Sequence, residues 1–322
     1  MRDTAPVRAG EELPLDRLSA WMGEPVEVEQ FPGGHSNLTY LVRTPAREYV
    51  LRRAPLGPVP PKAHDMAREF RVLQQIHPVF PAAPAVYRLC EDVSVIGAVF
   101  YLMERRTGVI LRSPQVSLEE AARLSEAFVD CLAKLHSIYV EIGKPEGFLE
   151  RQIAGWSDRW AKAKTPDRPD MDGVIAWLRR TIPMSGAPSV VHNDFKLDNI
   201  MFDESLTTVR AVLDWEMTTV GDPLADLGLS LCYWTMGSAY AAPEGNGWFS
   251  RDDIIQRYVL QTGRDVSNIR WYETLGVFKL AVILQQIYVR WVRGQTRDER
   301  FRDFGGRIRR LSDRAAELAG SR

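Results

Sequence analysis

The chain has little cysteine, no excess of either charge and no long apolar run. Three cysteines, Cys90, Cys131 and Cys232, stand far apart in 322 residues with no Cys-x-x-Cys pair. That argues against a disulfide framework or a cysteine zinc site, and fits small apolar residues of a reducing compartment. The formal net charge is −1, so no global field favours nucleic acid or a membrane surface. The longest apolar stretch, residues 277–289, is broken by Lys279, Gln285 and Gln286 and is expected to be too short to cross a bilayer. Residues 1–15 are polar, contain proline and show no apolar segment of a secretory signal. The expectation is a cytoplasmic protein with no nucleic-acid or membrane partner. At 45% hydrophobic and 26% charged, the composition is that of a globular chain long enough for one large domain or two lobes.

The residue pattern predicts an α+β protein. Residues 26–31 and 38–42 are short β-prone runs around a Gly-containing turn, and 49–52 is a third strand. Residues 64–76 carry Phe70, Leu73 and Ile76 at helical spacing, and 85–90 and 96–103 supply two more strands. After Glu104 the character turns helical. Ser117 and Glu120 form a capping-box pattern, starting a helix expected to run to about His136 with Leu124, Phe128, Cys131, Leu132 and Leu135 buried. Further helices are expected over 172–180, 223–234, 252–261, 271–293 and 301–318. Short strands are expected at 190–191, 200–202 and 209–213. The division is a β-rich lobe, residues 1–104, and a helical lobe, residues 105–322.

The chemistry concentrates in His192-Asn193-Asp194-Phe195-Lys196-Leu197-Asp198-Asn199, followed by a hydrophobic strand that ends in Asp214. A carboxylate, an amide five residues on and a second carboxylate at a strand end are the set that phosphoryl transfer from Mg-ATP needs. Asp194 would orient an acceptor hydroxyl and take its proton late. Asn199 and Asp214 offer the hard oxygens that suit Mg²⁺. Lys196 would offset charge on the transferred group. His192 and Asp198 read as supports of the loop. Asp222-Pro223 reads as a helix start, with Asp222 and Asp226 as bracing residues.

The octet resembles the HRDLKPEN loop of protein kinases, and still more the loop of the aminoglycoside phosphotransferase and choline kinase family. Val212-Leu213-Asp214-Trp215-Glu216 and the run from Gly221 to Gly228 are similar to that family's second signature, which lacks Phe-Gly after the metal aspartate. Gly33-Gly34-His35-Ser36-Asn37-Leu38-Thr39-Tyr40 and Val50-Leu51-Arg52-Arg53 are similar to segments of a branch associated with acyl-CoA dehydrogenases. The resemblance covers about residues 25–235 and implies a two-lobe, protein kinase-like fold using ATP and Mg²⁺. It implies that the turn with Gly33 and Gly34 approaches phosphate, with Ser36 and Asn37 as contacts. Arg52 aligns with the kinase lysine that grips the phosphates, and Glu69 would pair with it; strand alternation sends Arg53 to the other face. Met103, Glu104 and Arg106 fall at the hinge, where backbone groups would meet adenine.

The acceptor is less well specified. Residues 290–322 hold ten arginines against five acids, which disfavours a polycationic aminoglycoside. A small neutral or anionic metabolite with a hydroxyl fits better, and the resemblance points to a hydroxyacyl or hydroxy-acid compound. An antibiotic phosphotransferase, a protein kinase and a nucleotide-binding pseudokinase scaffold stand as alternatives. The arginine in place of lysine speaks for the scaffold. The complete Asp194, Asn199 and Asp214 set speaks against it.

Overall fold

A computed structural model describes residues 3–32, 37–56, 64–111, 115–236, 245–296 and 298–320. In chain order the elements up to Glu104 are α1 Leu15–Met22, β1 Glu27–Gln30, β2 Leu38–Arg43, β3 Glu48–Arg53, α2 Met66–Ile76, β4 Val86–Cys90 and β5 Phe100–Glu104. Then come β6 Val109–Ile110, α3 Leu118–Leu135, α4 Phe148–Lys162, α5 Asp172–Arg180, β7 Ser189–Val191, β8 Ile200–Phe202, β9 Val209–Val212 and β10 Thr219–Gly221. The chain ends with α6 Pro223–Met236, α7 Arg251–Thr262, α8 Ile269–Val292 and α9 Phe304–Ala319. Contacts group these into two compact units, Met1–Val109 with Arg210–Met217, and Ile110–Val209 with Thr218–Arg322.

The first unit is built on an antiparallel sheet of order β1-β2-β3-β5-β4. Successive strand residues face opposite sides. In β3, Leu51 joins a cluster with Leu18, Tyr40, Val42, Phe100 and Leu102, and Arg53 on the same side donates to the Ile96 carbonyl at 2.9 Å. Arg52 faces the other way, toward Glu69 of α2. Helix α2 is N-capped by Asp65, whose carboxylate accepts from the Arg68 amide. The returning segment 210–217 belongs to this unit. The Val212 amide bonds the Ala82 carbonyl at 2.8 Å, and the buried Trp215 ring meets Phe80 edge-on at 6.0 Å. Asp214 is thereby fixed beside β3 and α2, with φ of 66°.

The second unit is helical. The capping box at Ser117 and Glu120 starts α3, and the five residues expected on its buried face are all buried. Strands β7 and β10 pair antiparallel, Val191 opposite Thr219. Helices α6 and α8 cross closely, because glycines stand at the crossing. A Cβ on Gly228 would collide with the backbone of Tyr272, and one on Gly276 would lie 2.8 Å from the Gly228 carbonyl oxygen.

Three expectations are corrected. Helices α1 and α4 and strands β6 and β10 have no counterpart among the expected elements. Residues 96–99 are not strand: Gly97 takes φ of 79° and β5 starts only at Phe100. The apolar stretch read as too short to span a bilayer lies in a 24-residue helix, α8, which is long and apolar enough by length and composition. Half of its most apolar window is buried inside the protein, and it lies against α6 and α9, as a core helix does.

Candidate active site

The loop between β7 and β8 is held from below by α6. Asp226, fully buried, accepts from the His192 amide at 2.6 Å through Oδ2 and from the Asn193 amide at 2.8 Å through Oδ1. Its Oδ2 also lies 3.3 Å from Nε2 of buried His136, whose Nδ1 lies 2.8 Å from the Tyr258 hydroxyl. Burial pushes the Asp226 carboxyl up, but the His136 hydrogen bond, the two nearby imidazoles and the His192 amide outweigh it and hold the group below the ordinary aspartate value. The expected bracing role of Asp226 is therefore concrete: a buried carboxylate pins two successive amides just before Asp194. His192 is also buried, and its Nδ1 accepts from the Asp194 amide at 3.3 Å, as a loop support should.

Asp194 receives three side-chain donors. Oδ2 accepts from Asn199 Nδ2 at 2.9 Å and Lys196 Nζ at 3.0 Å. Oδ1 accepts from the Tyr233 hydroxyl at 2.6 Å. Asn199 Nδ2 also donates to the Asp194 carbonyl at 2.9 Å, so its amide orientation is set and Oδ1 is the atom left as an acceptor. The 3-10 turn Leu197–Asn199 supplies this geometry by bringing residue 199 back over residue 194. Tyr233 comes from α6, outside the loop. Burial and the Asp194 charge keep its phenol well above the usual range, so it is a neutral donor at every working pH. Lys196 Nζ also sits 5.2 Å from the Tyr233 ring centroid.

In the first unit a second cluster forms around Arg52. Its Nε lies 3.2 Å from Glu69 Oε2, and its Nη2 bonds Asp214 Oδ1. The expected Arg52–Glu69 pair is present, and Arg53 is turned away from it. Burial works against the Arg52 charge, yet Glu69 and Asp214 hold it well above the ordinary arginine value. Burial pushes Glu69 up to about 7, with Arg52 pulling the other way. Beside this cluster, Asn37 Nδ2 donates to Glu216 Oε2 at 2.9 Å, and Asn37 Oδ1 lies 2.8 Å from His64 Nδ1. Arg68 donates to the Glu216 carbonyl at 2.9 Å. The Asn37 side chain, expected to meet phosphate, is thus engaged at both ends.

Gly33, Gly34 and Ser36 lie outside the described residues. At the expected hinge, Met103 is buried in β5. The Glu104 amide is bonded to the Ala85 carbonyl at 2.8 Å, and the Arg106 carbonyl accepts from Arg105. These two groups are already in use, which narrows the adenine-pairing expectation to the remaining backbone groups of 104–106. The side chains of Glu104 and Arg106 pair with each other at 2.8 Å. Among the described residues, no group of three or more His, Cys, Asp or Glu could hold a metal alone.

The sequence model of the phosphotransferase enzyme family matches residues 27–257. The chain belongs to that family. Mouse acyl-CoA dehydrogenase family member 10 is 33% identical over 98% of this chain and 32% of its own length. Mouse family member 11 is 36% identical over 84% of this chain and 37% of its own. The chain thus spans about a third of the length of these curated relatives. A crystal structure from Ralstonia eutropha, provisionally named an aminoglycoside phosphotransferase, is 31% identical with a TM-score of 0.83, covering 96% of this chain and 99% of that one. Choline kinase of Cryptosporidium parvum has a TM-score of 0.60 at 12% identity, covering 92% and 89%, a likeness of fold. The phosphotransferase fold is kinase-like α+β, and the expected branch associated with acyl-CoA dehydrogenases is the one these relatives represent.

Proposed function

We propose that this phosphotransferase is a small-molecule kinase that moves the γ-phosphoryl group of Mg-ATP to the hydroxyl of a hydroxyacyl or hydroxy-acid metabolite. The observation that carries the reading is the pattern of donors on Asp194. Each carboxylate oxygen has about two acceptor positions. Both on Oδ2 are taken, by Lys196 and Asn199, while Oδ1 has one taken, by Tyr233. An acceptor hydroxyl therefore binds Oδ1. Its oxygen forms the new bond to the γ-phosphorus as the bond to the β,γ-bridging oxygen breaks, releasing ADP. Asp194 takes the hydroxyl proton late in the step.

Lys196 offsets the charge of the transferred group, and Arg52 is the cation for the remaining phosphates. Asn199, through its Oδ1, and Asp214 are the residues that would hold Mg²⁺. Held there, such an ion would supply positive charge to neutralise what develops on the phosphates. The acyl part of the reading is supported by the dehydrogenase relatives and by the arginine surplus over residues 290–322, which opposes a polycation.

The test is ADP release from Mg-ATP with a panel of hydroxyacyl thioesters, hydroxy acids, choline, ethanolamine and aminoglycosides. Turnover is expected with a hydroxyacyl or hydroxy-acid compound, lowered about 10²- to 10⁴-fold by Asp194→Ala. Turnover with aminoglycosides alone would overturn the acceptor. Nucleotide binding with no turnover on any compound would favour the scaffold reading.

A further inference from the structure

Helix α8 is apolar around Lys279, with Leu275, Val277, Phe278, Ala281 and Val282 all buried. Lys279 is itself only 4% exposed. A buried ammonium is costly unless its hydrogens are satisfied, and no carboxylate among the described residues lies within ion-pairing distance of its Nζ. What Nζ does meet is Asn193. It donates to the Asn193 carbonyl at 2.8 Å, lies 3.4 Å from Asn193 Oδ1, and sits 5.4 Å from the centre of the Trp156 ring.

Asn193 has φ of 66°, a conformation that a residue with a Cβ adopts reluctantly. Its amide is fixed by Asp226 and its carbonyl by Lys279, one from each side of the loop. The carbonyl belongs to the peptide unit that leads into Asp194, so its orientation sets where the Asp194 side chain starts. We propose that Lys279 is a positioning residue for phosphoryl transfer: by clamping the Asn193 carbonyl it fixes the peptide plane that aims the Asp194 carboxylate. The proposal rests on the phosphotransfer reading above.

An apolar side chain would suit the surroundings of α8 better, so burial alone does not account for a lysine here. The charged groups that bear on it are Asp226 of α6, Asp194 and Lys196 of the loop, and Arg159 of α4. Burial pushes the ammonium down to about 8 against the pull of the two aspartates. The charge-assisted bond to the carbonyl then weakens to a neutral one on the alkaline side.

The experiment compares wild type, Lys279→Met and Lys279→Arg in the full chain. The first readout is slow Mg-ATP hydrolysis, with water as acceptor, from pH 6 to 9.5. Hydrogen exchange over residues 191–195 and binding of a fluorescent ATP analogue are followed in parallel. In Lys279→Met, turnover falls roughly tenfold to a hundredfold. Its nucleotide affinity stays within about twofold, and the loop exchanges about tenfold faster while α8 does not. Lys279→Arg recovers turnover and moves the alkaline fall of wild type to higher pH. Unchanged loop exchange in Lys279→Met overturns the proposal. So does a loss of turnover that only follows a lower melting temperature and keeps the wild-type pH profile. If wild type turns over no ATP with water or with any compound of the acceptor panel, the phosphotransfer reading fails, and loop exchange alone still decides whether Lys279 holds Asn193.

Discussion

Replacing Asp226 by Asn changes one oxygen to an amide nitrogen and leaves the volume untouched. In the wild type both carboxylate oxygens face donors: Oδ1 the Asn193 amide, Oδ2 the His192 amide and His136 Nε2. Whichever way the new amide is turned, its NH₂ faces at least one N–H. One charge-assisted bond worth about 1.5–3 kcal/mol is lost, and a buried donor left without an acceptor costs about 1–3 kcal/mol more. Together that is about 3–5 kcal/mol, the range for breaking a buried charged contact on one side. For a unit of this size each kcal/mol lowers the melting temperature by about 2–4 °C, so the loss should be about 10 °C. Acid gives an internal control. The folded carboxyl lies below 3.8, so its contribution is fully present above that pH and is lost as pH falls through the folded value. The gap between wild type and variant, followed by thermal melts, should be constant from pH 7 down to about 4 and close below it. A variant melting within about 2 °C of wild type, or a gap that widens in acid, would refute the reasoning.

Tyr233→Phe removes the donor on Asp194 Oδ1, the oxygen proposed to receive the acceptor. Its kcat should fall about tenfold to a hundredfold, with the KM for ATP unchanged, and a kcat within twofold would make Tyr233 a bystander. Glu69 is raised from 4.5 to about 7, so the stability linked to its proton is fully present below 4.5 and lost as pH rises through 7. Urea midpoints for Glu69→Gln should therefore gain on wild type across that window, on the order of 2–3 kcal/mol; parallel curves would contradict the burial of a charge there. Gly228→Ala should destabilise by about 1–3 kcal/mol or more, since the added methyl meets the Tyr272 backbone and not a movable side chain. An unchanged melting temperature would show that α6 and α8 can separate at no cost.

How far the site could be read from the sequence follows the distance along the chain over which each contact forms. Asp194, Lys196 and Asn199 lie in one turn, so their spacing alone carries their grouping. Asp214 was legible because it ends a strand of obvious pattern. Tyr233 is 39 residues from Asp194, and Lys279 is 86 from Asn193, and no local spacing announces such pairs. Lys279 and Gln285 were read only as interruptions of an apolar run. Both are buried with partners: the Gln285 amide donates to the Ala163 carbonyl at 2.9 Å and the Thr165 hydroxyl at 3.0 Å. Helix α4 has buried Ile153, Trp156 and Trp160 at helical spacing, but it starts after Gly147 with no side-chain cap, so its start signal was missing. Residues 96–99 read as strand because they are apolar. Gly97 in the left-handed region breaks the run, and the Ile96 carbonyl is taken by Arg53 instead of a ladder partner.

The arginine at position 52 bears on whether the phosphotransferase is active, and its contacts favour activity over decay. A lysine presents one nitrogen, so an ammonium held between Glu69 and Asp214 would divide itself between them. The guanidinium separates the tasks: its Nε side lies at ion-pair distance from Glu69 without a hydrogen bond, Nη2 bonds Asp214, and Nη1 remains as a third donor site in the same plane. On the proposed reading that third group is the one offered to phosphate, and the Asp214 contact is the one a metal ion would replace. Arg52→Lys would then weaken ATP binding and loosen Asp214 together, instead of restoring a better kinase. A Lys variant with higher turnover than wild type would show that the arginine is a defect the fold tolerates.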